Sequence, residues 1–392
     1  MLQYWLGWAG AVFCLLVSLE LARSGLLLYR NLKSEPKILD GDETGMSTAL
    51  PLVSVIIPAK DEERFIGQTA AACLGARYPA IELVLVDDRS ADGTATILSE
   101  LAEKDATIKV VSIRELPDGW TGKTHALYQG ALKASGDIFL FTDADTIIGS
   151  DVIRKSVRYL VENRLDMLGL LPGFIAGGFN EIAVYPHLAL GLSYLYPLSE
   201  VNDETKPAAL SSGAFIMITR AAYEKVGTWE RFRESVTEDI AMSKAIKDEG
   251  LKLLVARADG AVRTRGFNGL GELCRFWRRT LYGGLEKSGA KIFRLTLSYF
   301  ALIVVTLLFA ASGVMLTSGR GDLSTASLFF FSGLAGALVV IPFSIFINNR
   351  PGDWRYGPTA PFGVAVAFWV TLSTLFTVLA DIGIHWRGSR YR

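Results

Sequence analysis

The sequence predicts an α/β domain built on a mostly parallel sheet, joined to transmembrane α-helices, one N-terminal and about three C-terminal. Two observations carry this. Between residues 51 and 266, short β-branched runs alternate with helical stretches at the spacing of right-handed βαβ units. Outside that segment, Leu295–Thr317, Leu323–Asn349 and Tyr356–Ala380 carry no charge. Each exceeds the roughly 20 residues that cross a bilayer as a helix. Composition agrees: 50% of the 392 residues are hydrophobic and only 20% charged, against about a quarter charged in soluble domains. The 40 Lys+Arg balance 40 Asp+Glu, which excludes a basic nucleic-acid binder, an acidic tail protein and a disordered chain.

Residues 1–30 read as an N-terminal transmembrane anchor. Leu2–Leu28 is apolar except for Glu20 and Arg23, which are spaced to pair on one helix face. The first charge is Glu20 rather than a positive leader, so a retained anchor is favoured over a cleaved signal peptide. Residues 31–50 are a polar linker. The domain then runs as strand Val53–Pro58, helix Glu62–Leu74, strand Glu82–Val86, helix Ala91–Asp105, strand Lys109–Ile113, helix Lys123–Ala134 and strand Ile138–Thr142. Open α/β sheets bind ligands beyond the carboxyl ends of their strands. The polar clusters fall there: Lys60–Glu63, Asp87–Ser90 and Asp143–Asp145. Residues 267–294 mix Phe, Trp and Leu with basic residues, as an interfacial amphipathic segment does. Residues 295–386 hold the C-terminal spans.

The flanks set orientation. Arg23, Arg30 and Lys33 follow the first span, and Arg275, Arg278, Arg279, Lys287, Lys291 and Arg294 precede the second. Positive-inside then places the polar domain in the cytoplasm of a multi-pass cell-membrane protein. Three C-terminal spans would leave Arg387, Arg390 and Arg392 outside. Either the rule is broken there, or one of the last segments is re-entrant or interfacial. Three scattered cysteines and three isolated histidines offer no disulfide framework, zinc site or Ser-His-Asp triad.

Several clusters carry chemistry, each beside a plainer reading. Asp143 and Asp145, at i,i+2 after an apolar run, can meet one hard cation, Mg²⁺ or Mn²⁺, whose other sites go to phosphate and water; a surface turn also produces such a pair. Asp87 and Asp88 end a strand where carboxylates can bind a base or ribose. Ser90 or Asp92 can cap the helix that follows. Gly119-Trp120-Thr121-Gly122-Lys123 permits close backbone approach, with Lys123 a point charge for a diphosphate; its spacing is not a P-loop. Glu238 and Asp239, upstream of the helical stretch Ile240–Glu249, suit a general base or simply complement a helix dipole. Ser211–Phe215 leaves room for a sugar or acceptor. Arg275, Arg278 and Arg279 could meet leaving-group phosphates or merely mark the membrane flank.

In order, SVIIPAKDEE, VDDRSADGT, GWTGK, TDAD, SSGAF, TED and RFWRR resemble the family 2 glycosyltransferases of GT-A fold, over roughly residues 50–285. GWTGK, the N-terminal anchor and the hydrophobic tail are most similar to the hopene-associated and carotenoid (chlorobactene-type) branch; YPLSEVND (196–203) resembles the hopene-associated group. The resemblance implies a Rossmann-like GT-A domain. It implies that Glu62, Asp87 and Asp88, with Pro58, hold the nucleoside of a nucleotide sugar, by family default a UDP-sugar, and that Lys123 lies near the nucleotide. Asp145 and Asp143 would be the metal-binding pair, Asp239 the catalytic base and Glu238 its helper. Arg275, Arg278 and Arg279 overlie the family's Q-x-x-R-W motif, but Arg275 replaces Gln and Arg279 replaces Trp. That Trp supports the acceptor sugar in polymerising members, so a processive synthase is disfavoured. The expected function is single addition of a sugar to a membrane lipid or isoprenoid, the bilayer being a partner and nucleic acid not. A processive polysaccharide synthase and a non-catalytic membrane protein with a degenerate transferase domain are the alternatives.

Overall fold

The computed structural model describes residues 50–174, 178–258, 260–267, 269–318, 359–386 and 389–391, with isolated positions elsewhere. Two compact units result. Glu35–Ile175 with Leu198–Gly266 form one; Ala176–Pro197 and Phe267–Arg392 belong to the other.

The first unit is the α/β domain. Its strands are β1 (Val53–Ala59), β2 (Ile81–Asp88), β3 (Ile108–Ile113), β4 (Ile138–Phe141), β5 (Thr146–Ile148), β6 (Met167–Leu171), β7 (Gly173–Phe174), β8 (Ile216–Thr219), β9 (Leu253–Arg257) and β10 (Val262–Thr264). Seven of them form one sheet in the order β3-β2-β1-β4-β8-β6-β9. All pairings are parallel except those of β8, which runs against both β4 and β6. A small second sheet has the order β5-β10-β7. The side-chain period of two explains why these runs are strands. In β4, Ile138 and Leu140 join the main core with Val55, Ile57, Leu83, Leu85 and Phe215. Phe139 and Phe141 turn to the other face, where they pack on Tyr223 and Trp229 with ring centroids 5.0–5.7 Å apart.

The expected strands and helices lie where the alternation placed them, with ends shifted by a turn or less. The first helix is Ile66–Leu74 rather than Glu62–Leu74, because Asp61 takes a left-handed φ of 55° and Glu62–Phe65 form a separate turn. Glu238 and Asp239 are not upstream of their helix: they open it, at Glu238–Asp248.

The second unit contains the helices Phe179–Leu195, Leu270–Gly284, Gly289–Ser318 and Ala360–Leu379. Phe179–Leu195 lies within residues 51–266 in sequence but belongs here. Gly363 lets two of these helices meet closely: a Cβ there would collide with the Ala183 carbonyl and the His187 ring. Tyr299 Oη donates to the His187 carbonyl at 2.6 Å and Tyr196 Oη to that of Gly284 at 2.6 Å. Leu273, Trp277 and Leu281, at i, i+4 and i+8, give Leu270–Gly284 one buried stripe.

Among the described residues, Pro361–Leu379 is the one helix long and apolar enough to cross a membrane, with a mean hydropathy of 2.0. The multiple spans expected from the sequence are therefore not all seen. Leu295–Thr317 lies in the helix Gly289–Ser318. Apart from isolated positions, Leu2–Leu28 and Leu323–Asn349 fall outside the described residues.

One buried carboxylate ties the far end of the sheet. Glu82 on β2 sits opposite Ser54 on β1. It accepts from Ser54 Oγ at 2.6 Å and from Ser135 Oγ at 3.1 Å, and pairs with Lys109 Nζ at 2.6 Å. Burial alone would raise its pKa; Lys109, Ser54 and Ser135 instead draw it down from 4.5 to about 2. A depressed carboxyl contributes stability above its unfolded pKa and loses it as pH falls through the folded value. Glu82→Gln should therefore lower the unfolding free energy at pH 7 by about 3 kcal/mol. The gap from wild type should close between pH 4.5 and about 2, which denaturant unfolding across that range measures.

Candidate active site

The loops after β1 and β2 clasp each other. The backbone N–H of Asp61 donates to Ser90 Oγ at 3.1 Å, and that of Ala91 to Asp61 Oδ1 at 2.7 Å. The N–H of Glu62 donates to Thr94 Oγ1 at 2.9 Å, and that of Gly93 to Glu63 Oε2 at 2.7 Å. These bonds hold Asp61 and Arg89 at left-handed φ values of 55° and 56°, which non-glycine residues adopt only when their surroundings impose it. Asp92 accepts from Thr94 N within this clasp at 3.0 Å.

Glu62, Asp87 and Asp88 are buried at the rim so formed. Asp88 takes a bidentate fork from Arg89, with Nε at 2.8 Å and Nη2 at 3.2 Å. Gly122 is required beside it: a Cβ there would collide with Asp88 Oδ2 and stand 3.1 Å from Arg89 Nη2. Gly122 opens the helix Gly122–Lys133, capped by Thr121, and the Thr121 N–H and Thr124 Oγ1 both donate to the Arg233 carbonyl, at 2.7 and 2.8 Å. On the next turn His125 is buried with Nδ1 unpartnered, its ring edge-on to Trp120 at 5.3 Å. Burial lowers its pKa; Arg89 adds to this and Asp88 opposes it.

The centre of the site is Lys123. Its Nζ lies 2.7 Å from Asp143 Oδ1 and 2.7 Å from Glu238 Oε1. Burial would release its proton, but the carboxylates of Asp143, Glu238 and Asp239 outweigh this and hold it well above the ordinary lysine range. The antiparallel β8 brings the other wall. Because it runs against β4, its first residues meet the last of β4, with Ile216 opposite Phe141. Ser211–Phe215 therefore arrives beside Asp143, and Thr142 Oγ1 donates to the Ala214 carbonyl at 2.7 Å. Asp239 is fastened to the same loop. Its Oδ2 accepts from Gly213 N at 3.1 Å, its Oδ1 from Ile240 N at 2.9 Å and its carbonyl from Ser211 Oγ at 2.7 Å. Further along that helix, Lys247 Nζ donates to the carbonyls of Val201, Asp203 and Ala208 at 2.8–2.9 Å, which pins the chain leading into the loop.

Asp145 has a different partner. Its Oδ2 pairs with Arg265 Nε at 2.9 Å. No three His, Cys, Asp or Glu side chains gather as a metal site among the described residues. Two hard carboxylates at a strand end nonetheless fit Mg²⁺ or Mn²⁺, which bind through one or two carboxylates and complete their shell with phosphate and water.

Residues 54–227 match the family model described as glycosyl transferase family 2. That stretch is similar to the family 2 glycosyl transferases. A probable glycosyltransferase of Bacillus subtilis is 37% identical over 213 residues, 51% of this chain and 48% of that protein. An uncharacterised glycosyltransferase of Haemophilus influenzae is 33% identical over 118 residues, 30% of this chain and 46% of that one. The chain thus spans about half the length of these two relatives. The 4,4'-diaponeurosporenoate glycosyltransferase of Staphylococcus aureus is 24% identical over 297 residues, 73% of each chain. Among solved structures, a mannosyltransferase of Pyrobaculum calidifontis in complex with GDP-Man and Mn²⁺ superposes with a TM-score of 0.58. It covers 95% of this chain and 99% of its own at 19% identity, so the GT-A fold is shared.

The first unit gathers Lys123, Asp143, Glu238 and Asp239, with Glu62, Asp87 and Asp88 at the clasped rim and Pro58 near the end of β1. Arg275, Arg278 and Arg279 lie on the helix Leu270–Gly284 of the second unit, where Arg278 Nη2 donates to Thr377 Oγ1 at 2.9 Å. Arg89 and Arg265 are charged partners of the site beyond those its sequence motifs point to. Arg89 is adjacent to Asp88 in sequence; Arg265 lies 120 residues from Asp145.

Gly213 tests how much space the centre has. Its φ is ordinary, and a Cβ would stand 2.7 Å from Lys123 Nζ and 3.2 Å from Asp143 Oδ2. Gly213→Ala should push the ammonium aside and, by loosening its pairing with buried Glu238, melt at a lower temperature than the wild type. Such a displacement is expected to lower activity about 10–100-fold, which steady-state kinetics beside a melting curve would measure.

Proposed function

We propose that the protein is a membrane-bound, inverting, single-addition glycosyltransferase. It would move a sugar from a nucleotide sugar, by family default a UDP-sugar, to a lipid or isoprenoid acceptor. The observation that carries this reading is the arrangement of Asp239 and Lys123. A carboxylate fixed by backbone N–H groups acts on a lysine that Asp143 and Glu238 hold in its charged form. A base and a phosphate-binding cation, side by side beyond the strand ends, are what glycosyl transfer needs.

In this reading Glu62, Asp87 and Asp88, with Pro58, bind the nucleoside, and Lys123 meets the diphosphate. Asp145 and Asp143 would hold Mg²⁺ or Mn²⁺, which neutralises diphosphate charge when bound. Asp239 takes the proton of the acceptor hydroxyl while its oxygen bonds to the anomeric carbon. The bond from that carbon to the diphosphate breaks on the opposite face, inverting the centre. Glu238 positions Lys123, and through it the donor, against Asp239.

The membrane setting rests on Pro361–Leu379 and the apolar segments around it. A lipid acceptor cannot leave the bilayer cheaply, at about 0.8 kcal/mol per buried CH₂, so an enzyme that uses one must work at the surface. The relative named for 4,4'-diaponeurosporenoate supports a carotenoid-type acceptor. The basic flanks support a cytoplasmic domain.

Asp239→Asn removes the base and leaves the donor contacts in place. Transfer should fall by roughly 10²–10⁴-fold while nucleotide-sugar binding, read by calorimetry, is retained. Turnover near the wild-type rate would overturn the assignment of Asp239.

A further inference from the structure

We propose that Arg265 is an internal counter-ion for Asp145. It would occupy the carboxylate until donor and metal arrive together, and so make metal binding depend on the nucleotide. The inference rests on reading Asp145 as a metal ligand, and goes beyond it by assigning a positioning residue that controls when the ligand is available.

The pairing is built into the fold. β5 and β10 are antiparallel, with Thr146 opposite Thr264. Residues 145 and 265 are therefore neighbours where this short ladder ends, and the Arg265 N–H donates to the Asp145 carbonyl at 3.2 Å. From that anchored backbone the side chain returns to the same residue, Nε to Oδ2 at 2.9 Å. The guanidinium also lies over the Phe65 ring, 5.3 Å from its centroid, a cation–π contact that steadies it from a second element. The pair is about three-quarters buried, with side chains 24% and 21% exposed, so solvent screens it only in part.

A divalent ion arriving alone must break this charge-assisted bond and strand a guanidinium that has lost its carboxylate. Its other candidate ligand, Asp143, is itself held by Lys123. A diphosphate arriving with the metal changes the balance. Its oxygens accept from the displaced guanidinium, whose planar fork suits phosphate as well as carboxylate, and they complete the metal shell. Metal and nucleotide would then bind cooperatively through a single side chain.

Mn²⁺ binding to the detergent-solubilised full-length protein, followed by the electron paramagnetic resonance signal of free Mn²⁺ with and without UDP or GDP, tests this. The wild type should bind Mn²⁺ weakly alone and at least about ten-fold more tightly with nucleotide, an ordinary size for coupled binding. Arg265→Gln should bind Mn²⁺ alone about ten-fold more tightly than the wild type, and lose most of the nucleotide dependence. Arg265→Lys, which keeps a point charge in place of the fork, should fall between them and serves if the glutamine variant does not fold. Equal Mn²⁺ affinity of wild type and both variants, with Asp145→Asn losing it, would overturn the counter-ion and leave the metal reading intact. Absence of Mn²⁺ binding by the wild type and both variants, with either nucleotide present, would overturn both.

Discussion

One ammonium group organises the candidate site. Lys123 reaches Asp143 and Glu238 at 2.7 Å each, so it joins the end of β4, the start of its own helix and the start of the helix that carries Asp239. Glu238 is buried, and a buried carboxylate without a partner is among the more costly defects a fold can carry. The position of the lysine thus bears on folding, through its pairing with Glu238. Gly213 follows from it, since a methyl there would intrude on Lys123 and Asp143.

The antiparallel β8 has a comparable role at the level of topology. A purely parallel sheet would send the chain before β8 away from the strand ends. Reversal brings Ser211–Phe215 to the carboxyl end of β4, and the backbone there supplies the N–H that orients Asp239. Lys247 and Asn202 secure the approach to this loop, the lysine through backbone carbonyls and the asparagine by pairing both ways with Val255 on the edge strand β9, at 2.7–2.8 Å.

The first half of the domain was legible in the sequence because its physics is local. Each strand is a short β-branched or aromatic run, each helix follows at βαβ spacing, and the acidic clusters stand at strand ends where a parallel sheet collects ligands. The second half was less so. β6 and β9 are short, with glycine in β6, and nothing nearby in sequence announces that β8 reverses. The helix Phe179–Leu195 reads as part of the α/β segment, yet its partners are helices far along the chain. The D-x-D pair was visible as two carboxylates, but not their cations. Lys123 belonged to a recognisable glycine-rich turn, whereas Arg265 sits on a three-residue strand whose register with β5 is purely tertiary.

The central claim is the proposal that this site adds one sugar to a membrane lipid. Membranes containing the protein can be incubated with radiolabelled UDP-sugars and a divalent ion, and the organic extract analysed by mass. The account predicts label in the organic phase, on a lipid or isoprenoid heavier by a single sugar residue. Label recovered instead as long water-soluble polymer, or no transfer from any nucleotide sugar, would contradict it.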